Sequence, residues 1–182
     1  QRQMCIRDSY KYTVKVNATG LTLEGCTIGS WADGGGESGE AEDLGYSIQN
    51  DGSYTVYNAD GLLAWNKAAQ KDESINCTLT ADIDLTGKDW TPIGTDYDNS
   101  YKGTFDGGGH TITGLTFTTN DEYAGLFGWL NRAGTVKNVV MEGVQITSNQ
   151  IYGGSIGGVV GYSWGTIENC SVSGSVSGTV YV

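Results

Sequence analysis

Apolar and polar residues alternate in short runs along most of this chain, and the runs return at a fixed spacing. The most regular run is Ile75 to Leu85. Ile75, Cys77, Leu79, Ala81, Ile83 and Leu85 share one side, and Asn76, Thr78, Thr80, Asp82 and Asp84 share the other. That period of two predicts a strand with one buried and one solvated face. The same period at Tyr10, Tyr12, Val14 and Val16, then Asn17-Ala-Thr-Gly20, then Leu21, Leu23, Cys26 and Ile28, predicts a β-hairpin within 10–32. Only residues 59–70 carry a helical period, with Leu62, Trp65, Ala68 and Ala69 on one side and Asn66, Lys67 and Gln70 opposite. Asn58 stands where its side-chain oxygen can accept a free N–H of the first turn. A lone amphipathic helix ahead of a long β region can cover the open end of a strand stack, which would otherwise recruit other strands.

The C-terminal third repeats itself. Ala124-Gly-Leu-Phe-Gly128, Gly134-Thr-Val-Lys-Asn138 and Gly143 are matched by Gly157-Gly-Val-Val-Gly161, Gly165-Thr-Ile-Glu-Asn169 and Gly174. Gly134 to Gly165, Asn138 to Asn169 and Gly143 to Gly174 are each 31 residues apart, and Gly128 to Gly161 is 33. A period of this size in a β-rich sequence points to stacked repeats, each too thin to bury its apolar side alone. The inward set is Leu126, Phe127, Val136, Val139 and Met141, with counterparts Val159, Val160, Ile167, Cys170 and Val172. Its phase switches near Asn138 and Asn169, which requires a bend, and Asn tolerates the left-handed conformation a corner needs. The expected fold is mostly β: a parallel β-helix with an N-terminal capping helix, preceded by a β-hairpin.

Composition sets the boundaries. Residues 33–53 are acidic, rich in Gly and Ser and poor in apolar side chains, which predicts a flexible linker between the hairpin and the β-helix of 54–182. Residues 1–9 read as adapter-derived sequence rather than native chain, and the last residues run on without a stop signal, as if cut within an array. The net charge of −11 offers no basic face for a nucleic acid. No apolar run is long enough to span a membrane. Cys26, Cys77 and Cys170 lack metal-ligand spacing and read as small buried residues, so no cofactor is expected.

Candidate chemistry is sparse. His110 is the one histidine and follows Asp106 across a glycine run; such a pair can serve acid–base catalysis, although a turn alone accounts for the glycines. Asp82 and Asp84 face outward about 6–7 Å apart along a strand, within range of a glycosidase carboxylate pair, but outward acids are ordinary surface. Asp96 and Asp98 offer oxygen ligands to a cation without a complete calcium loop. Aromatic residues beside the repeats, Tyr97, Tyr101, Tyr123, Trp129, Tyr152, Tyr162 and Trp164, could stack on a sugar ring or a protein partner, and Tyr97, Tyr101, Trp129, Tyr162 and Trp164 are the candidate contacts.

Gly158-Val-Val-Gly161-Tyr, Gly165-Thr-Ile-Glu-Asn-Cys170 and Gly174-Ser-Val176 resemble the GLUG repeat of bacterial surface proteins. Ala81-Asp-Ile-Asp-Leu85, Trp90-Thr-Pro-Ile-Gly94 and Gly103-Thr-Phe-Asp-Gly-Gly-Gly-His-Thr-Ile-Thr-Gly-Leu115 resemble the segment that precedes such repeats. The hairpin and Trp31-Ala-Asp-Gly resemble the end of a fimbrillin-like domain. Those resemblances imply a right-handed, pectin-lyase-like β-helix in an exported surface protein anchored at the outer membrane through a part upstream. The expected role is a non-enzymatic stalk or adhesion module meeting host or bacterial glycans or surface proteins. The alternatives are a fragment of an enzyme acting on acidic polysaccharide, or an accessory segment of a surface peptidase.

Overall fold

The computed structural model describes residues 43–151 and 153–178. The hairpin of 10–32, the residues 1–9, Cys26 and the first part of the linker lie outside the described residues. Contacts divide the chain after Leu44, and the unit from Gly45 onward carries the architecture.

Fifteen short strands and one helix make up the described residues. They are β1 (Tyr46–Ile48), β2 (Tyr54–Val56), α1 (Ala59–Ala69), β3 (Cys77–Leu79), β4 (Ile83–Asp84), β5 (Thr104–Asp106), β6 (Thr111–Thr113), β7 (Thr116–Thr119), β8 (Tyr123–Ala124), β9 (Phe127–Leu130), β10 (Thr135–Lys137), β11 (Val140–Ser148), β12 (Ser155–Ile156), β13 (Val160–Ser163), β14 (Thr166–Glu168) and β15 (Ser171–Gly178).

The strands stack as rungs. The first sheet runs β1-β2-β3-β5-β10-β14, the second β4-β6-β11-β15 with β7 beside β11, and a third side pairs β8 with β12 and β9 with β13. Every pairing is parallel except β1 with β2. Parallel neighbours that recur once per turn of chain define a β-solenoid, and the register places like side chains in columns. Phe105, Val136 and Ile167 form one such column, and Ile112, Met141 and Val172 another. Phe105, Val136, Ile112 and Met141 are buried. Each such side chain contributes about 1.5–3 kcal/mol on leaving water.

The capping helix forms where the period predicts it. Asn58 is extended, and its Oδ1 accepts from Gly61 N at 2.9 Å. Leu62, Trp65 and Ala69 are buried. Trp65 enters the solenoid interior, with ring centroids 5.0 Å from Phe105, 6.0 Å from Tyr101 and 6.2 Å from Phe127. Asn66, expected on the solvent side, is buried and donates to the Thr91 carbonyl at 2.8 Å. It ties the helix to the loop that carries the chain onward.

Four expectations change. The run Ile75 to Leu85 is two strands in two sheets, because the chain turns a corner near Asp82 without losing its inward phase. The linker of 33–53 is too long at its C-terminal end: Tyr46–Ile48 is a strand, paired antiparallel to β2, with Tyr46 stacked on Tyr54 at 5.1 Å. The glycine run after Asp106 makes a corner between the first and second sheets rather than a reversal, with φ of 61° at Gly108 and 78° at Gly109. Finally, Ile167 and Val172 keep the inward phase but are each 44% exposed, because no rung lies over them among the described residues.

Glycines of the repeat serve close approach on the third side. A Cβ at Gly128 would collide with the Gly94 carbonyl, and one at Gly161 with the backbone of Ala124 and Ser155. Gly128 N donates instead to the Ile93 carbonyl at 2.8 Å.

Candidate functional site

Two clusters of polar or aromatic side chains reach the surface in an organised way. The first follows the corner between the first and second sheets. Asn138 Nδ2 donates to Asp106 Oδ1 at 2.9 Å, and Gly108 N donates to the same oxygen at 2.9 Å. Lys137 Nζ lies 3.3 Å from Asp106 Oδ2. Partial burial works against the charged form of Asp106, but the bonds from Asn138, Gly108 and Lys137 outweigh it and hold the carboxyl below its ordinary 3.8. His110 is turned elsewhere: its Nδ1 lies 3.4 Å from Asp82 Oδ1, which also accepts from Thr111 N at 2.9 Å. That backbone bond is the main reason the Asp82 pKa is lowered. The candidate catalytic pair Asp106 and His110 is therefore divided. Asp106 organises the corner within its own sheet, and His110 pairs with an acid one rung below.

Asp96 is also committed locally. It accepts from Asp98 N at 2.9 Å, and from Asn99 N and Asn99 Nδ2 at 3.0 Å each. The Asn99 bonds lead the effects that lower its pKa. Asp98 supplies a backbone donor to this turn. Among the described residues no three His, Cys, Asp or Glu side chains gather as a metal site would require.

The second cluster lies outside the third side. Tyr97, Tyr123, Trp129, Tyr162 and Trp164 come from three successive rungs and meet around Trp129. Its ring centroid is 4.4 Å from Tyr162, 4.6 Å from Tyr123, 5.7 Å from Trp164 and 6.4 Å from Tyr97. Trp129 and Tyr162 are register partners, so the rung repeat itself places one ring over the other. Tyr123 donates its hydroxyl to Glu122 Oε1 at 2.7 Å, and this bond is the main reason its pKa is pushed up to about 12. Tyr123 is one of the loop aromatics expected from the sequence, and Tyr152, another, lies outside the described residues.

Tyr101, expected among the contact rings, is not one of them. It is 0% exposed and donates its hydroxyl to the Ile75 carbonyl at 3.0 Å, so it belongs to the core. Burial pushes its pKa up. Cys77 is a buried core thiol, and its pKa is raised by burial; Cys170 is half-buried and donates to the Glu168 carbonyl at 3.3 Å. A cleft of about 270 Å³ at the bulge of the second sheet is lined by Gly143, Gln145, Thr147, Gly174 and neighbours, with no titratable side chain.

The class these features define is a β-solenoid built on a glycine-punctuated repeat of about thirty residues. Residues 152–177, which span β12 to β15, match the family model described as the GLUG motif. Residues 152–177 thus carry a GLUG motif, and it lies within a parallel β-solenoid. The chain is 37% identical over 111 residues to "Halomucin" of Haloquadratum walsbyi, covering 56% of this chain and 1% of that one. It is 37% identical over 109 residues to a "Putative Gly-rich membrane protein" of Evansella cellulosilytica, covering 55% of this chain and 12% of that one. The chain therefore spans a small part of each of these relatives. The crystal structure of a "putative immunoglobulin A1 protease" from Bacteroides ovatus superposes with a TM-score of 0.48 at 19% identity, covering 72% of this chain and 60% of that chain. No helix among the described residues is long and apolar enough to cross a membrane.

Proposed function

We propose that this protein is a non-enzymatic extracellular module of a bacterial surface protein, a rigid β-helical stalk that displays its outer side to glycans or to other surface proteins. The observation that carries the reading is the register. Apolar columns run through successive rungs, and the organised acids, Asp82, Asp96 and Asp106, each accept from backbone or side-chain donors of the solenoid. A body built this way resists bending because each rung is held to the next along its whole length. The names of the two relatives, a halomucin and a membrane protein, support a place at the cell surface.

A tagged form expressed with its full-length parent should be removed from intact cells by an added protease. A signal that persists until the cells are lysed would defeat the surface assignment. The purified chain should release no reducing ends from polygalacturonate, alginate or neutral glucans.

One contact favours a second reading. His110 beside Asp82 could act as an exposed acid–base pair in cleavage of an acidic polysaccharide. Turnover that is lost in His110→Ala with the fold intact would establish it in place of the stalk.

A further inference from the structure

We infer that the outer aromatic strip is a platform for a neutral carbohydrate, with Tyr97 and Trp164 as contact rings and Trp129 as their support. The inference rests on the display reading above and names what the displayed surface takes.

The strip is not needed to close the core. Phe127 and Leu130, on the same strand as Trp129, are fully buried and already complete the interior at this side. Tyr97 and Trp164 remain 57% and 45% exposed, although their centroids are only 5.4 Å apart. At the centre, Trp129 is 9% exposed, and its Nε1 is buried without a hydrogen-bond partner. Trp164 lies on the last described rung, where Ile167 and Val172 are uncovered too, but Tyr97 lies below that rung. A large ring left wet there and an indole donor left unsatisfied at Trp129 are both unfavourable for folding alone. A contiguous aromatic surface of this kind marks a contact site.

The surrounding chemistry selects the occupant. The loops that carry the rings also carry Asp96, Asp98, Asp121 and Glu122, in a chain of net charge −11. An acidic polysaccharide or a polyanionic partner would meet like charge. Asp96, Asp121 and Glu122 already accept bonds within the protein, and Asp98, an acceptor only when ionised, suits a ligand rich in hydroxyl donors. A neutral sugar supplies these, together with an apolar C–H face that lies flat on an aromatic ring. A quaternary ammonium would need rings walled around a hollow. Here the rings pack on one another at 4.4 to 6.4 Å around Trp129, which gives a surface and leaves no box.

Affinity electrophoresis of the 182-residue chain tests this in gels cast with neutral glucans, mannan, galactan, polygalacturonate or no polymer. Choline is titrated separately against tryptophan fluorescence. At least one neutral polymer should retard the protein. Trp164→Ala and Tyr97→Ala should each weaken that retention by about tenfold or more with unchanged thermal melting, while Trp164→Phe, which keeps a ring, should retain most of it. The proposal is overturned by equal retention of both alanine variants, by retention on polygalacturonate alone, by a response to choline alone, or by no retention on any neutral polymer. Shortening of a polymer during the assay would refute the non-enzymatic reading and leave the platform standing, whereas loss of binding alone would leave the stalk reading standing.

Discussion

Asn169 sits directly over Asn138, one repeat later: its Nδ2 donates to Asn138 Oδ1 at 3.2 Å, and both backbones are left-handed, with φ of 51° and 54°. The side-chain bond and the strained backbone have one cause. The chain must turn sharply between the first and second sheets at the same height in every rung. An amide can take that conformation and also bond the equivalent residue above and below. Asp106 ends this ladder from beneath by accepting from Asn138.

Asn138→Val should cost about 1–3 kcal/mol for a branched residue held at positive φ, and about 1 kcal/mol more for the broken ladder. Asn138→Gly keeps the conformation and loses only the bonds, so it should be the milder change. Urea denaturation of the two variants checks the order. Equal costs would mean that the backbone conformation contributes nothing.

Trp65 anchors the helical cap by filling the interior against Tyr101, Phe105 and Phe127. Trp65→Ala should destabilise the fold by about 3–5 kcal/mol, read from the urea midpoint. If the variant melted like the parent, the helix would not be a structural cap.

Met141 and Val172 are register partners in one column, yet Met141 is 1% exposed and Val172 is uncovered. Met141→Asp should bury an unpaired charge and prevent folding, while Val172→Asp should shift the thermal midpoint only slightly. A collapse of Val172→Asp in circular dichroism would show that something covers the last rung in solution.

The lowered carboxyl of Asp106 makes stability depend on pH. Its folded pKa lies below the unfolded value, so the unfolded state binds the proton more readily. Its contribution is fully present above the ordinary carboxyl pKa of the unfolded chain and is lost as pH falls through the lower folded pKa. Asp82, Asp84 and Asp96 shift in the same direction. Thermal midpoints should therefore fall in acid, and Asp106→Asn should fall less steeply than the parent. Identical acid slopes would remove Asp106 from the account.

Much of the fold was legible because it is local and periodic. The cap at Asn58, the helix that follows, the inward columns and the corners at Asn138 and Asn169 each depend on residue type and spacing. The Ile75 to Leu85 run shows the limit: a straight strand and a chain that turns between sheets present the same alternation, so the corner was invisible. The acidic composition before Tyr54 likewise concealed β1, which owes its order to the β2 edge it covers.

The sequence by itself determined the repeat, its register and the capping helix, since these follow from side-chain size, alternation and a period of 31. Only the tertiary structure decided which aromatic residues face outward. Tyr101 and Trp129 look alike along the chain, but the rung geometry sends Tyr101 into the interior beside Trp65 and places Trp129 under Tyr162 on the outer side. It also parted His110 from Asp106, near in sequence, and set it against Asp82 from the rung below, because in a stack of rungs the nearest neighbours are a full repeat apart.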